Sequence, residues 1–500
     1  MAFPPRWLFW HRRDLRLADN LGLAAAAAAT PALTGVFVLD PALLAAPDLA
    51  PARLWFLCES LRELAQRWRQ AGSRLILLEG DPAVVLPQLV TATGAEVVAW
   101  NRDVEPYGRE RDRHVAAALQ AQGCKVLVDW DQLLVAPEAL RTGSGDPYRV
   151  YGPFWRNWRG QLERRAGLGS AASGGLEPVG APANLVDLQD PEGGDGSSER
   201  QSLWELLPLR PSVPGAADLG APFEGAALCP CRPGEAAALA QLEAFCQGGA
   251  LLAYGQGRNL PGEEGTSALS AALKFGTLSP RQAWAAAQEA RQLARSDEAL
   301  EAITVWEQEL AWREFYQQAL FHFPELAEGP YRPQWRHFPW QNKPQWLEAW
   351  REGLTGVPIV DAAMRQLNAS GWMHNRCRMV VASFLVKDLI CDWRLGEAAF
   401  MARLVDGDLA ANNGGWQWSA SSGMDPKPLR IFNPSTQAAR FDPEAEYIRR
   451  WLPELAHVAH EDLLSGSIGA LERRGYPEPI VDHKRQQAHF KALYATLPRG

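Results

Sequence analysis

Residues 406–419, with the sequence DGDLAANNGGWQWS, bring carboxylates, amides, glycines and indole rings together in one short stretch. Asp406 and Asp408 can accept hydrogen bonds from ring N–H or ribose hydroxyl groups, and Asn412 can face a ring nitrogen. The two adjacent glycines would let a ligand approach the backbone closely. Because the stretch lacks the regular helical or strand period of a core segment, we interpret it as the lining of a pocket for a polar aromatic ligand.

A second stretch, WEQELAWREFYQ, has a helical pattern with chemically active side chains on one face. Helical spacing places on or beside that face Trp306, Glu309, Trp312, Arg313 and Tyr316. The alternative is a core stripe with an ion pair between the glutamate and the arginine. That alternative explains the aromatic residues better than it explains a carboxylate among them.

A third stretch, GWMHNRCRMVVASF, can line a pocket of the size of a nucleobase. Trp372, Asn375 and Met379 are spaced i, i+3 and i+7, and Arg378 is adjacent. This spacing predicts an aromatic ring, an amide, a thioether and a cation on one helical face.

A fourth stretch, GEEGTSALSAALKFG, has the composition of a phosphate site. Thr266, Ser267 and Ser270 stand at the start of a predicted helix, where hydroxyls and free backbone N–H groups can bind an anion. A plain helix N-cap is the simpler alternative for these residues.

The first 130 residues predict an α/β domain that would carry part of these motifs. Short apolar runs alternate there with helical patterns, which is typical of a parallel sheet covered by helices on both faces. No Gly-x-Gly-x-x-Gly follows the first run, so an ordinary dinucleotide site is not expected there. The predicted strands are 7–10, 34–39, 74–79, 96–100 and 125–130, and the clearest helices are 53–70 and 109–122.

The composition changes after this domain. Residues 166–200 are rich in Gly, Ser, Pro and acid, which is typical of a linker, and the chain stays rich in Pro and Gly to about 232. Long helical segments follow at 235–246, 280–294, 301–323 and 375–393. We therefore predict an α/β domain at 1–133, a connector at 134–232 and an all-helical domain at 233–500 that can hold a deep pocket.

The bulk composition sets limits on location and metal binding. No run of roughly 18 apolar residues occurs, and no signal-peptide pattern is present, so we expect a cytoplasmic protein without a membrane segment. The scattered cysteines favour reduced thiols, and the Cys229-Pro-Cys231 pair with Cys246 is too sparse for a metal site. We expect no bound metal.

The net charge of -8 does not exclude nucleic acid as a partner. Binding depends on a local basic face and not on the total charge. Much of the acidic excess lies in the segment 187–199. Between 427 and 450 the cations are Lys427, Arg430, Arg440, Arg449 and Arg450.

With these motifs in place, the sequence resembles the photolyase/cryptochrome family over nearly its whole length, from FWHRRDLRL to ERRGYP. Within the family it is similar to class I cyclobutane pyrimidine dimer photolyases of the deazaflavin-antenna type. DGDLAANNGGWQWS and WMHNRCRM carry the resemblance most specifically. The resemblance implies an N-terminal Rossmann-like α/β antenna domain with a parallel sheet, a long connector, and a large all-helical C-terminal domain that binds one FAD folded into a U.

The resemblance also implies which residues contact the FAD. The residues near its phosphates or ribityl chain would be Tyr254, Thr266, Ser267, Leu269 and Ser270. The residues around its rings would be Trp306, Arg313, Trp372, Arg378, Asp406, Asp408 and Asn412. Asn412 matches the position that faces flavin N5, where Asn favours repair over signalling, and Arg378 with Asp406 matches a salt bridge beside the flavin.

The implied activity is light-dependent repair of cyclobutane pyrimidine dimers in DNA. Photoexcited FADH⁻ gives an electron to a lesion that is flipped into a pocket beside the flavin. Glu309, if buried and protonated, can give the dimer a proton or a strong hydrogen bond. The implied substrate residues are Glu309, Trp312, Asn375, Met379 and Trp418. Catalysis would further involve Asn412 and a tryptophan chain that feeds electrons to oxidised flavin, formed by Trp340, Trp393 and Trp416.

An antenna pigment is implied for the N-terminal domain. 8-Hydroxy-5-deazaflavin is the expected pigment, and 5,10-methenyltetrahydrofolate is the alternative, because the folate type usually lacks a lysine at position 274. The matching wall positions are Arg12, Phe37, Asp40, Arg53, Asp103, Glu105 and Lys274. The expected partner is DNA that contains pyrimidine dimers, and the protein is expected to be a monomer.

Three alternatives stay open at this point. A signalling cryptochrome would carry a long C-terminal tail or a changed residue 412, and we expect neither. A single-strand-specific repair enzyme of the DASH group is disfavoured by Trp312 and Met379. A plain flavin-binding electron carrier would not need the pocket that the third stretch predicts.

Overall fold

The computed structural model describes residues 4–188, 198–424 and 429–498. Within these residues an N-terminal α/β region precedes a largely helical region, as the sequence predicts. Lys427 and most of the acidic segment 187–199 lie outside the described residues.

Five parallel strands form one sheet in the order β3-β2-β1-β4-β5. They are β1 (Trp7–His11), β2 (Leu33–Leu39), β3 (Leu75–Glu79), β4 (Val97–Asn101) and β5 (Lys125–Asp129). The five predicted strands are thus confirmed to within one residue at each end. The helices of this region are α1 (Leu21–Ala29), α2 (Pro41–Leu44), α3 (Pro51–Gln70), α4 (Pro82–Thr93) and α5 (Pro106–Ala121).

The central strands of the sheet are buried on both faces, and their side chains are mostly apolar on both faces. Every residue of β2 is buried, as expected for a central parallel strand. Phe9 and Phe37 pack into the hydrophobic cluster on one face, and Leu8 and Trp10 pack into the cluster on the other. β5 is an edge strand and is largely exposed.

The rest of the described chain is helical. The described part of the predicted connector contains two α-helices, namely α6 (Tyr151–Arg165) and α7 (Ser198–Glu205). The following helices are α8 (Glu235–Gln247), α9 (Tyr254–Gly257), α10 (Ser270–Phe275), α11 (Pro280–Leu293), α12 (Asp297–His322), α13 (Pro344–Glu352) and α14 (Pro358–Ser370). The last ones are α15 (Asn375–Lys387), α16 (Trp393–Met401), α17 (Leu409–Ala420), α18 (Pro434–Phe441), α19 (Glu446–Trp451), α20 (His460–Ser465) and α21 (His483–Ala495).

The connector is more than a linker. Phe154 and Trp158 of α6 pack in one cluster with residues of α8, α11 and α12. Glu314 of α12 is buried and accepts the indole N–H of Trp158 at 2.7 Å. The predicted boundaries at 133 and 232 stay predictions, because α6 shares the core of the helical region.

Three of the helix predictions need correction. The segment 375–393 is not one helix, because Ile390 has a left-handed φ of 51° and separates α15 from α16. The 406–419 stretch contains a helix, α17, although it lacks a clear helical period. Ser270 begins α10 as predicted, but Thr266 and Ser267 lie in the loop before the helix and are not part of its first turn.

A buried ion network holds the sheet against the helical region. The Arg281 guanidinium lies 3.1 Å from the Asp19 carboxylate and 2.6 Å from that of Asp131, and Arg16 also pairs with Asp131 at 2.6 Å. All four side chains are at most 2% exposed. Removal of one partner would leave a buried uncompensated charge, so the network fixes the position of the sheet above α10 and α11.

Among the described residues, no helix has both the length and the apolar character that crossing a membrane requires. The same residues do not gather three or more His, Cys, Asp or Glu side chains into a group that could hold a metal ion.

Candidate active site

A cavity of about 510 Å³, the first cavity, lies among α9, α10, α12, α15, α16 and α17. The structure brings together there most residues that the sequence assigns to FAD and to the substrate. The residues that line it and were predicted are Tyr254, Ser267, Leu269, Ser270, Trp306, Glu309, Trp312, Arg313, Asn375, Arg378, Met379, Asp406, Asp408, Asn412, Trp416 and Trp418.

Two of the predicted FAD residues do not line the first cavity. Thr266 lies in the loop before α10 and is not part of the lining. Trp372 lies before the start of α15 and packs against the hydrophobic cluster of the sheet. The predicted shared face is wrong for Trp372, because His374 caps α15 and only Asn375, Arg378 and Met379 follow its helical spacing.

The glycines of the 406–419 stretch have two different roles on α17. A Cβ at Gly414 would lie 2.1 Å from the ring of Tyr316, so this glycine lets α17 approach α12. A Cβ at Gly415 would meet no heavy atom of the described part of the chain within 4 Å, because Gly415 faces the first cavity. Asp408 begins the helix, since its side chain accepts the backbone N–H of Ala411 at 3.0 Å.

The lesion side of the lining contains an ion pair that the sequence did not predict. The Arg258 guanidinium lies 2.8 Å from the Glu309 carboxylate. Burial raises the pKa of Glu309, and the positive charge of Arg258 opposes that rise. Arg258 had no signal of its own in the sequence, because it follows the short helix α9 outside the four motifs.

The predicted salt bridge between Arg378 and Asp406 is confirmed at 2.8 Å. Arg378 also donates to the backbone carbonyl of Met373 at 2.8 Å, which fixes its guanidinium on the lining. The second carboxylate oxygen of Asp406 is buried and has no hydrogen-bond partner among the described residues. A buried acceptor without a partner is unfavourable, so Asp406 suits a ligand that donates an N–H or O–H group.

Asn412 is held by Glu397, a residue outside the four predicted stretches. Its amide donates to the backbone carbonyl of Glu397 at 3.1 Å, and the amide of the adjacent Asn413 donates to the Glu397 carboxylate at 2.9 Å. Burial raises the pKa of Glu397 to about 7. This anchorage fixes the side chain of Asn412 on the wall of the cavity.

The first cavity fits FAD by its size and its donor set. A volume of about 510 Å³ lies in the usual range of cofactor pockets. Its lining combines hydroxyls before α10, aromatic rings, the open space at Gly415 and the unsatisfied oxygen of Asp406. A ligand with a phosphate part and a hydrogen-bonding ring system matches this set.

The three predicted chain tryptophans lie in one hydrophobic cluster. Trp416 lines the cavity and makes an edge contact with Phe400, with ring centroids 5.0 Å apart. Trp393 is buried, and Trp340 is half-buried and stacks on Trp335 at 5.9 Å. Trp393 has no close ring pair with Trp340 or Trp416 in the described part of the chain, so their order in a chain stays a prediction.

A second cavity, of about 240 Å³, lies between the sheet and the helical region. All seven residues predicted for the antenna line it: Arg12, Phe37, Asp40, Arg53, Asp103, Glu105 and Lys274. Tyr107 also lines it and donates its hydroxyl to Asp40 at 2.5 Å. The structure therefore assembles the predicted antenna set around one space.

Arg13 and Lys274 connect the two cavities. Arg13 lines the second cavity and forms ion pairs with Glu105 there and with Asp408 of the first. Burial opposes ionisation of Asp408, but the Arg13 guanidinium holds its pKa below the usual range. Lys274 lines both cavities, and burial together with the charges of Arg13 and Arg53 lowers its pKa to about 7. Of these two residues only Lys274 was predicted, and only for the antenna site.

Several arginines lie on the lining of the first cavity or near it. Arg430 lines it and lies over the ring of Trp418, 5.0 Å from the ring centroid. Arg376 and Arg440 both lie over Phe441, at 4.2 Å and 5.1 Å. Burial lowers the pKa of Arg376, and the nearby positive charge of Arg258 lowers it further. Such a group of guanidinium groups suits the phosphates of a nucleic acid.

Comparison with known proteins places this architecture in a family. Residues 7–172 match the family described as DNA photolyase, and residues 306–496 match the family described as FAD binding domain of DNA photolyase. A protein named deoxyribodipyrimidine photo-lyase from Synechococcus sp. is 57% identical over 491 residues, which are 98% of this chain and 96% of that relative.

Two solved structures are similar over almost their whole length. A bacterial class III photolyase from Agrobacterium tumefaciens has a TM-score of 0.82 and 37% identity, with 99% of this chain and 98% of that chain covered. A cryptochrome from Synechocystis sp. has a TM-score of 0.84 and 28% identity, with 99% and 100% covered. Both family matches, the full-length relative and the two cavities agree with one another: the chain belongs to the DNA photolyase family.

Proposed function

We propose that this protein uses light to repair cyclobutane pyrimidine dimers in DNA, with reduced FAD bound in the first cavity. One observation carries the proposal. A single cavity joins the residues suited to FAD with a second group that suits a flipped pyrimidine dimer. That group is formed by Glu309, Trp312, Asn375, Met379 and Trp418. The relative that is 57% identical is named for the same activity.

The residues around α10 and α17 would hold the cofactor. Ser267 and Ser270 lie where hydroxyls and a helix start can bind phosphate, and Arg378 with Asp406 offers a donor and an unsatisfied acceptor to the ring system. Asn412 presents its amide to the same space. Bound FAD in its reduced form, when excited by light, supplies the electron that splits the dimer.

The residues of α12 and α15 would bind the lesion. Trp312 and Trp418 offer ring faces on which the two bases of the dimer can stack, and Asn375 offers an amide to a base edge. The dimer must leave the duplex to reach them, and its disturbed stacking lowers the free energy that flipping requires. Arg430 and the arginines near the lining would position the phosphates on either side of the dimer.

Glu309 would supply a hydrogen bond or a proton to the lesion. Its side chain is 32% exposed on the lining of the cavity, so a bound dimer would bury it further. Further burial raises the pKa of a carboxyl group and favours its protonated, donating form. The pair with Arg258 keeps the carboxyl oriented before DNA arrives.

The second cavity would hold an antenna pigment, with 8-hydroxy-5-deazaflavin as our proposal and 5,10-methenyltetrahydrofolate as the alternative. The proximity of the second cavity to the first, with Lys274 on both walls, suits energy transfer between two pigments. The mixed acidic and basic wall suits a flavin-like ring with several hydrogen-bonding groups.

The finer assignments belong to the same proposal. Asn412 favours a repair enzyme over a signalling cryptochrome, and Trp312 and Met379 favour a class I enzyme that acts on cyclobutane dimers over one of the DASH group. We also propose that Trp340, Trp393 and Trp416 pass electrons to oxidised FAD, and that the protein is a cytoplasmic monomer.

Expression in a bacterial strain that lacks photorepair tests the proposed function. Cells that carry the protein should survive ultraviolet irradiation better when they are then exposed to blue light than when they stay in the dark. A variant with both Trp312→Ala and Trp418→Ala should lose this difference while keeping its flavin. Equal survival in light and dark with wild-type protein that contains FAD would contradict the proposal.

A further inference from the structure

A third cavity, of about 240 Å³, adjoins the first cavity, and neither the FAD residues nor the antenna residues account for it. It lies among the start of α6, α12 and α17. Four residues line both the first and the third cavity, namely Trp312, Tyr316, Trp418 and Arg430. The third cavity therefore continues from the part of the first cavity that we assign to the lesion.

The lining of the third cavity is aromatic and well fixed. Tyr151 stacks on Trp312 with ring centroids 3.5 Å apart and ring planes 4° apart. The hydroxyl of Tyr151 donates to the backbone carbonyl of Gln308 at 3.0 Å, which holds the ring in place. Phe315 and Tyr316 complete this aromatic side. A planar ring that enters the cavity would meet preformed apolar surfaces.

The charged side chains of the lining are cationic. Arg149 is exposed and lies over Phe323 at 5.5 Å, and Arg430 lies over Trp418 at 5.0 Å. None of the described residues on the lining is acidic. Aromatic rings together with guanidinium groups are the combination that binds single-stranded nucleotides, because every base can stack and every phosphate attracts a cation.

We propose that the third cavity binds the nucleotide next to the dimer on the same DNA strand. The proposal rests on the proposed function, since it needs the dimer in the first cavity. One phosphodiester group joins that nucleotide to the dimer, so it must lie within reach of the lesion. The third cavity offers it a place, with its base beside Tyr151 and Phe315 and its phosphate near Arg149.

Binding of short single strands in the dark tests the proposal on the FAD-loaded protein. The probes are the bare thymine dimer dinucleotide and three longer strands that carry one nucleotide on its 5′ side, on its 3′ side, or on both. One of the two single additions should tighten binding by about tenfold, since stacking of one base on aromatic side chains contributes on this scale. An abasic residue at that position should give little of this gain.

Gly152→Leu is the variant that separates the third cavity from the first. Gly152 lines the third cavity, and a Cβ there meets no heavy atom of the described residues within 4 Å, so a leucine would extend into the cavity. Gly160→Leu is a matched control on the same helix, because Gly160 lies outside the lining and its Cβ meets only the end of Arg164 at 3.6 Å. The gain from the flanking nucleotide should fall below twofold in Gly152→Leu and stay about tenfold in Gly160→Leu.

Arg149→Gln provides an independent measurement at an exposed side chain. The slope of log affinity against log salt concentration should decrease by the equivalent of about one phosphate contact for the extended strand. For the bare dinucleotide this slope should stay unchanged. Equal flanking gains in wild type and Gly152→Leu would overturn the proposal, and so would weaker binding of the bare dinucleotide in Gly152→Leu. Failure of the wild-type protein to bind or repair the bare dimer would instead count against the proposed function.

Discussion

The Arg258 guanidinium and the Glu309 carboxylate face each other at 2.8 Å on the lining of the first cavity. Burial raises the pKa of Glu309, and Arg258 opposes the rise. Only the protonated carboxyl can donate to the lesion, so the repair yield of the bound complex should fall as the pH rises through this pKa. Arg258→Gln removes the opposing charge and should move the fall to higher pH.

Variants of Glu309 give the matching controls for this pH effect. Glu309→Ala should lower the repair yield by about a hundredfold, the lower end of what a positioned acid contributes. Glu309→Gln keeps an N–H donor that does not titrate, so its yield should be independent of pH. If the dependence of the repair yield on pH were the same in wild type, Arg258→Gln and Glu309→Gln, Glu309 would not be the donor. The yields are measured on pre-reduced protein at saturating DNA.

Gly415→Leu should expel FAD from the first cavity. A side chain at this position enters the space that faces the cavity, where a Cβ meets no heavy atom within 4 Å. Purified variant should contain far less flavin per protein than wild type, as read from its absorption spectrum. Gly255→Leu is the control, since its Cβ also meets open space but lies outside the lining. Equal flavin content in both variants would place the cofactor elsewhere.

Trp340→Phe should slow photoreduction of oxidised FAD and leave repair by pre-reduced protein nearly intact. Trp340 is half-buried at the outer side of the cluster that also contains Trp393 and Trp416, which suits the entry of electrons from solvent. Trp346→Phe is the control, because Trp346 packs against the same cluster and is not part of the proposed chain. Loss of repair in pre-reduced Trp340→Phe would refute the assignment.

Pigment binding at the second cavity should depend on the ionisation of Lys274. Burial lowers the pKa of Lys274 to about 7, and an anionic pigment beside it would raise that pKa again. Above neutral pH, Lys274 is uncharged in the free protein and takes up a proton when the pigment binds. The affinity for an ionised 8-hydroxy-deazaflavin should therefore fall by up to about tenfold per pH unit above neutral pH and stay level below neutral pH.

Lys274→Met should bind the pigment more weakly and without this pH dependence. Titration of FAD-loaded protein with the pigment, followed by fluorescence, gives both affinities. Because Lys274 also lines the first cavity, the flavin content of the variant is measured in parallel, and Arg12→Met serves as a variant of the second cavity alone. An identical pH profile in wild type and Lys274→Met would remove Lys274 from the pigment site.

The parts of the fold with strong local signals could be predicted from the sequence. The buried strands have continuous apolar runs, so their positions follow from composition, and the seven antenna residues meet around one cavity as the resemblance implies. The helix α17 escaped prediction because one of its sides faces a ligand space and the other approaches α12 through Gly414. A helix of this kind has no simple apolar stripe.

The residues that sequence reasoning missed act through distant partners. Arg13 pairs with Asp408, 395 positions away, and Glu397 fixes the amides of Asn412 and Asn413 from another helix. Spacing along one element cannot reveal such pairs, since they form only when the sheet and the helices pack. Trp372 shows the opposite error: its spacing fits a helical face, but the helix begins three residues later.

Single-turnover repair tests the central claim most directly. Protein that has been reduced without oxygen is mixed with an equal amount of a dimer-containing strand and exposed to increasing doses of blue light, and intact thymines are counted by chromatography. The dimer should disappear with light dose until nearly all bound strands are repaired, and it should persist in the dark. A dimer content that stays constant at every dose, in protein shown to contain reduced FAD and to bind the strand, would contradict the claim.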